Sequence, residues 1–165
     1  MVIFMSAPLD DERSKARATG LDARLLLVGL LDEDRLMRTI RQLVEGLLRA
    51  RALRVSGQDE ESLDALSDVL EKTLGLRSTL VYQMAPETLL SLLSPAGEAD
   101  VEKLVATGRL LEERARVLTA LGRDEEAARH GAQALLLLEE AESLDVEGRF
   151  QEHYAGIEAL RQQLA

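Results

Sequence analysis

The chain has 165 residues, 46% of them apolar and only 2% aromatic, with no Trp and no Cys. Its formal net charge of −10 argues against general nucleic-acid binding, which draws most of its affinity from Lys and Arg on phosphates. Lack of Cys excludes disulfides and thiolate metal sites and fits a cytoplasmic setting.

Residues 1–9 read as a flexible tail, within which Met5 is an alternative start. The opening MVIFM has no basic region and runs into Asp10-Asp11-Glu12, so it is not expected to be a secretion signal. From residue 10 to 165 a single all-α domain is expected. The apolar run Leu25–Leu31 (LLLVGLL) falls far short of the ~20 residues that span a bilayer, so no membrane role is expected. The Leu21–Leu31 segment is instead expected to cap a helical stack.

Helical periodicity becomes strong at Glu33. Leu36, Ile40, Leu43, Leu47 and Ala50 recur at steps of three and four on one face. Asp32 reads as the N-cap of this helix, with Glu33 and Asp34 against its dipole. Gly57 ends it as a left-handed residue. Asp59 then reads as the cap of a second helix to about Leu74, with Leu63, Leu66, Val69 and Leu70 inward. Residues 77–97 form an irregular insert with a short helix Glu87–Leu93, where Pro86 suits the first turn, and a break at Ser94-Pro95-Ala96-Gly97.

A long helix is expected to follow to Leu121, with Val101, Leu104, Val105, Leu111, Ala115 and Leu118 as its stripe. Gly122 stops it, Asp124 caps the next helix, and Ala127, Ala134, Leu135 and Leu138 carry the core onward. A final helix from about Glu147 to Leu164 offers Phe150, Tyr154, Ile157, Leu160 and Leu164 as one apolar face.

Two hexapeptides, GQDEES at Gly57–Ser62 and GRDEEA at Gly122–Ala127, lie 65 positions apart. At that offset Ala50 meets Ala115, Leu53 meets Leu118, and Val69 meets Ala134. A helical hairpin needs this set: a residue free to adopt positive φ at the stop, acids at the next start, and small side chains where backbones approach. Hairpins are therefore expected at about 33–74 and 98–144.

Ala115…Leu118…Gly122…Ala127…Ala134 resembles the tetratricopeptide repeat. The resemblance implies hairpins stacked as a short right-handed superhelix with capping helices at both ends. The chain departs from the pattern at Gly131, where a large apolar residue is usual, in having no Pro near Glu139, and in the first copy, with Ser62 and Val69 at Ala positions. A broader stretch, about Arg35–Ala141, is similar to a family of bacterial helical proteins of unassigned activity. That likeness rests on DRLMRTIRQLVEGLLRAR, LLSLLSPAGEADVEKL and RLLEERARVLTALGRDEEAARHGAQALLLLEEA.

No catalytic constellation stands out. Asp59-Glu60-Glu61 and Asp124-Glu125-Glu126 sit where helix starts favour acids. His130 and His153 are the two histidines and are expected at the surface; Glu126 and His130 are four apart, not at the three-residue spacing of helical di-iron sites. Neither a nucleophile elbow nor a phosphate loop is present, so neither metal nor cofactor is expected, and the chain reads as non-enzymatic.

The repeat resemblance implies that the first helix of each hairpin lines a concave groove, turning Arg51, Arg54, Arg109, Glu112 and Arg116 toward it. Guanidiniums there can hold an acidic segment or carboxylate-bearing tail; the blander alternative is solvated arginines paired with Glu112 and Glu113 at helical spacing. The expected function is a protein-interaction module with a protein or peptide partner. A small-molecule sensor, a helical-bundle enzyme with a polar pocket, and a structural homo-oligomer are the alternatives. For a homodimer, the Phe150/Tyr154/Ile157/Leu160/Leu164 face is the candidate.

Overall fold

A computed structural model describes residues 33–165. The tail at 1–9, the choice between Met1 and Met5, the Leu21–Leu31 cap and the Asp32 N-cap lie outside the described residues. By compactness the chain divides into Met1–Arg38 and Thr39–Ala165, and the packing below is that of the second unit. Every regular element among the described residues is helical.

Helix α1 spans 33–55 and buries Leu43, Gly46, Leu47 and Ala50 along one face. Helix α2, Asp59–Leu74, returns along it and buries Ser62, Leu63, Ala65, Leu66 and Leu70. The two touch closely. The Ser62 hydroxyl donates to the Ala50 carbonyl at 2.7 Å, and a Cβ on Gly46 would lie 2.6 Å from Val69 Cγ2.

The turn between them rests on Gly57, whose φ of +76° only glycine adopts without strain. Its N–H donates to the Arg54 carbonyl at 3.0 Å and the Gln58 N–H to that of Leu53 at 2.8 Å. This pair of bonds satisfies carbonyls the helix end would leave free. The same pair recurs at Gly122, φ +73°, between Gly122 and Thr119 at 3.0 Å and between Arg123 and Leu118 at 2.9 Å.

The acids after these glycines do not cap. Gln58 and Arg123 occupy the N-cap positions without a side-chain bond; Asp59 and Asp124 begin their helices. Both acids act on the dipole from the first turn rather than catching a free N–H. Arg123 pairs instead with Glu126 at 2.8 Å and reaches Glu60 at 4.0 Å, tying the start of α2 to the start of the second hairpin's return helix.

In the stretch expected to be irregular, the short helix expected at Glu87–Leu93 is present as α4, Pro86–Leu93, with Pro86 in its first turn, and a further helix, α3, Ser78–Gln83, precedes it. Glu71 explains α3. Its carboxylate accepts from the Ser78 N–H at 2.9 Å and the Ser78 hydroxyl at 2.8 Å, a cap supplied from the preceding helix rather than from local sequence. Those bonds, the backbone one foremost, hold Glu71 below the usual carboxylate range.

Helix α5, Val101–Ala120, is capped by Asp100, whose side chain accepts from the Lys103 N–H. It is the central rod: from Leu104 to Ala115 every residue but Arg109 is buried, far more than one stripe. It packs on α2 on one side and on α6, Asp124–Leu144, on another. Gly108 permits the α5–α6 approach, since a Cβ there would lie 2.7 Å from Leu138 Cγ.

The expected single helix from Glu147 is broken. Asp145 accepts from the Arg149 and Phe150 N–H groups at 3.0 and 2.9 Å and from the Tyr154 hydroxyl at 3.0 Å, which turns the chain through Gly148. A 3₁₀ segment Gln151–Tyr154 and helix α7, Ile157–Leu164, follow. Phe150, Tyr154, Ile157 and Leu160 are each under 8% exposed, and Leu164 is half-buried against Gly131. The proposed dimer face is thus corrected: its apolar surface is buried within its own chain.

Both histidines are buried, contrary to expectation. The His130 Nδ1 pairs with Gln133 Oε1 at 2.9 Å, its ring stands edge-on to Tyr82 at 4.8 Å, and it is 1% exposed. Gln133 Nε2 donates to the carbonyls of Val81 and Met84 at 2.9 and 2.8 Å. The Arg114 guanidinium lies 3.9 Å over the Tyr82 ring, whose hydroxyl meets Ser67 at 2.8 Å.

Burial, reinforced by Arg114 and Arg129, pushes the His130 pKa down to about 4 against the Gln133 bond and Glu126, which raise it. Between about 6.5 and 4 the unfolded chain therefore binds a proton that the folded chain refuses, and stability falls with pH. Unfolding free energy from urea titrations should drop by about 2 kcal/mol more in the wild type than in His130→Gln between about pH 7.5 and 5. Parallel pH curves would contradict this assignment.

Candidate functional site

Arg51 and Arg54 leave the last turns of α1, and Arg109, Glu112, Glu113 and Arg116 leave the middle of α5. Spacings of three and four residues put each set on one face, and the packing of the first hairpin on α5 brings the sets together. Glu112 and Glu113 are each 1% exposed. Glu112 binds the Arg109 guanidinium and, at 2.7 Å, that of Arg116. Glu113 receives Arg116 at 3.2 Å, Arg51 at 3.5 Å and Arg54 at 3.5 Å.

Two carboxylates so buried require partners, because an unpaired charge there costs several kcal/mol. Four guanidiniums surround them, leaving a local surplus of two positive charges in a chain of net charge −10. The arginines differ in exposure. The Arg109 side chain is 15% exposed and serves the interior, whereas Arg51 and Arg116 stand 42% and 40% exposed at the surface. Their guanidiniums have donors left for an outside acceptor. The Nε of Arg54 is buried and has no hydrogen-bond partner among the described residues.

Beside this cluster opens a cleft of about 400 Å³. Arg54 comes to it from α1; Glu112, Ala115, Arg116 and Thr119 from α5; Asp124, Ala127, Ala128 and Gly131 from α6; Leu160, Gln163 and Leu164 from α7. Its lining sets small apolar side chains and two leucines beside Arg54, Glu112, Arg116 and Asp124. The packing follows from sequence: alanines and glycine on α6 leave space that the two leucines of α7 only partly fill. Helix α7 is fastened beside it by Arg161, which pairs with Glu139 of α6 at 2.7 Å.

The structure brings together Arg51, Arg54, Arg109, Glu112 and Arg116, the five residues expected to face one groove. Arg51 and Arg109 do not line the cleft. Glu113, the hub of three of the ion pairs, was read only as a pairing partner for Arg116. Its helical register with Glu112 and Arg116 is a signal; its burial depends on α1, far away in sequence. Gly57, Asp59, Gly122 and Asp124 serve the turns, though Asp124 also touches the cleft. Among the described residues no group of three or more His, Asp or Glu side chains is arranged to hold a metal, and no helix is long and apolar enough to cross a membrane.

Comparison with protein-family models, curated proteins and solved structures finds no significant match to this chain. The class that the fold defines is an all-α helical protein.

Proposed function

We propose that the chain is a short tetratricopeptide-like interaction module whose partner carries an acidic segment. In this reading α1–α2 and α5–α6 are the two repeat hairpins of a right-handed stack, α3 and α4 are an insert between them, and the Gln151–Leu164 stretch closes the end. The twin glycine turns, with one hydrogen-bond pattern at both, support the repeat. A swap in size supports it further: Gly46 faces Val69 in the first hairpin, and the positions 65 residues on carry Leu111 and Ala134.

The observation that carries the function is the guanidinium surplus of the ion-pair cluster beside the cleft, where Arg51, Arg54, Arg109 and Arg116 surround Glu112 and Glu113 in an otherwise acidic chain. Bidentate guanidinium–carboxylate bonds provide geometry as well as charge. A fluorescent oligoglutamate peptide followed by anisotropy should bind, more weakly as salt rises. Affinity should fall at least about tenfold in Arg51→Glu/Arg54→Glu. These two serve better than Arg109, whose side chain is 15% exposed against 42% and 34% for Arg51 and Arg54. Equal affinity for both proteins would reject the reading.

A further inference from the structure

We infer that the trough at Gly131 is a side-chain pocket that receives one aliphatic residue of the acidic partner, so that recognition reads an aliphatic residue next to acids rather than acidity alone. The inference rests on the acidic-partner reading and adds the partner's second chemical requirement.

Two observations lead there. Gly131 lies inside a helix with no need for positive φ, and a Cβ on it would find its nearest neighbours in Leu164, at 3.4 Å and beyond. Glycine at this position is therefore not required by the backbone or by a tight helix crossing, unlike Gly46 and Gly108. It costs helix propensity and leaves space. That space, with Ala115, Ala127, Ala128 and Leu160 around it, belongs to a cleft of about 400 Å³. Such a volume lies at the small end of ligand pockets and matches roughly a dozen waters at ~30 Å³ each. It suits one or two side chains and not a helix.

Charge fixes how the occupant lies. Arg54 and Arg116 line the cleft and attract carboxylates, while Asp124 and Glu112, the latter already paired with Arg109 and Arg116, line it too and repel them elsewhere. An aliphatic side chain in the trough therefore has its acidic neighbours beside the arginines. A partner with acids alone would leave the apolar walls hydrated.

The test uses a labelled, amidated heptapeptide with a central leucine between pairs of glutamates, and the same peptide with alanine in place of leucine. The leucine peptide should bind about tenfold more tightly, the effect of burying most of an aliphatic side chain. Gly131→Leu, which fills the trough and leaves the arginines in place, should reduce the two peptides to equal affinity. The peptide exchange leaves the protein untouched, so the result does not depend on how the variant folds. Equal affinities in the wild type, both lost in Arg51→Glu/Arg54→Glu, would overturn the pocket and leave the acidic-partner reading standing. Failure of both peptides to bind would overturn both. A free-acid version of the leucine peptide separates sources: a large gain over the amide means that the trough takes a chain terminus, and no gain means an internal residue; both outcomes support the pocket.

Discussion

Gln133→Ala is expected to lower the unfolding free energy by about 3 kcal/mol, because the Met84 carbonyl and the His130 ring lose their partner at 1–3 kcal/mol each while the Val81 carbonyl keeps the Met84 N–H. The amide of Gln133 is the only described link between α6 and the final carbonyls of α3, those of Val81 and Met84, and it also holds the His130 ring. Helix ends leave carbonyls free, and α3 is too short to survive on propensity alone. Urea unfolding monitored by circular dichroism measures the loss, and amide exchange should show α3 opening first. Gln133→Glu should be no better, because a carboxylate cannot donate to either carbonyl and would bury a charge. A loss under 1 kcal/mol in Gln133→Ala would mean that the insert is held by its leucines alone.

The second large effect belongs to Glu112. Its replacement by alanine should cost about 3 kcal/mol, a melting temperature lower by roughly 10 °C at 2–4 °C per kcal/mol. The cost falls mainly on Arg109, which is 15% exposed and cannot turn freely to water, whereas Arg116 at 40% exposure can. Glu112 also packs on Gly156 at the start of α7, so removing it loosens the wall of the cleft. Glu113→Ala should cost less, since its three arginines are all at least a third exposed and surface pairs contribute little. Calorimetry on the two variants checks the order; an equal or reversed order would contradict the distinction between interior and rim arginines.

Much of the helical architecture was legible because it is local. Gly57 and Gly122 are each followed by acids and flanked by apolar steps of three and four, and that pattern locates both turns without tertiary information. The caps were misread because Asp at a helix start serves equally at the cap or in the first turn, and only coordinates separate the two. Within the insert, α4 was legible from Pro86 and the break after Leu93, whereas α3 was not, because its cap comes from Glu71, seven residues before Ser78. The C-terminal face was misread because an apolar stripe does not say which surface will cover it; Asp145, nine residues from Tyr154, turns the chain so that the surface is its own. His130 and Gln133 share a helical face with Ala127, Ala134, Leu137, Leu138 and Ala141. Their spacing alone marks them as inward-facing, and the polar character of the side chains masked that signal. Of the arginines, Arg51 and Arg116 meet at the 65-residue offset, whereas Arg54 and Arg109 do not, and the depth of Glu112 and Glu113 has no local signal.

The central claim, that acidic partners dock where α1, α5 and α7 meet over the Gly131 trough, is tested most directly by mapping amide chemical shifts during titration with the leucine heptapeptide. The account predicts that the largest changes fall on Arg54, Ala115, Arg116, Thr119, Gly131 and Leu160. Changes centred instead on the exposed Leu80 and Leu92 of α3 and α4, or spread evenly over the surface, would contradict it.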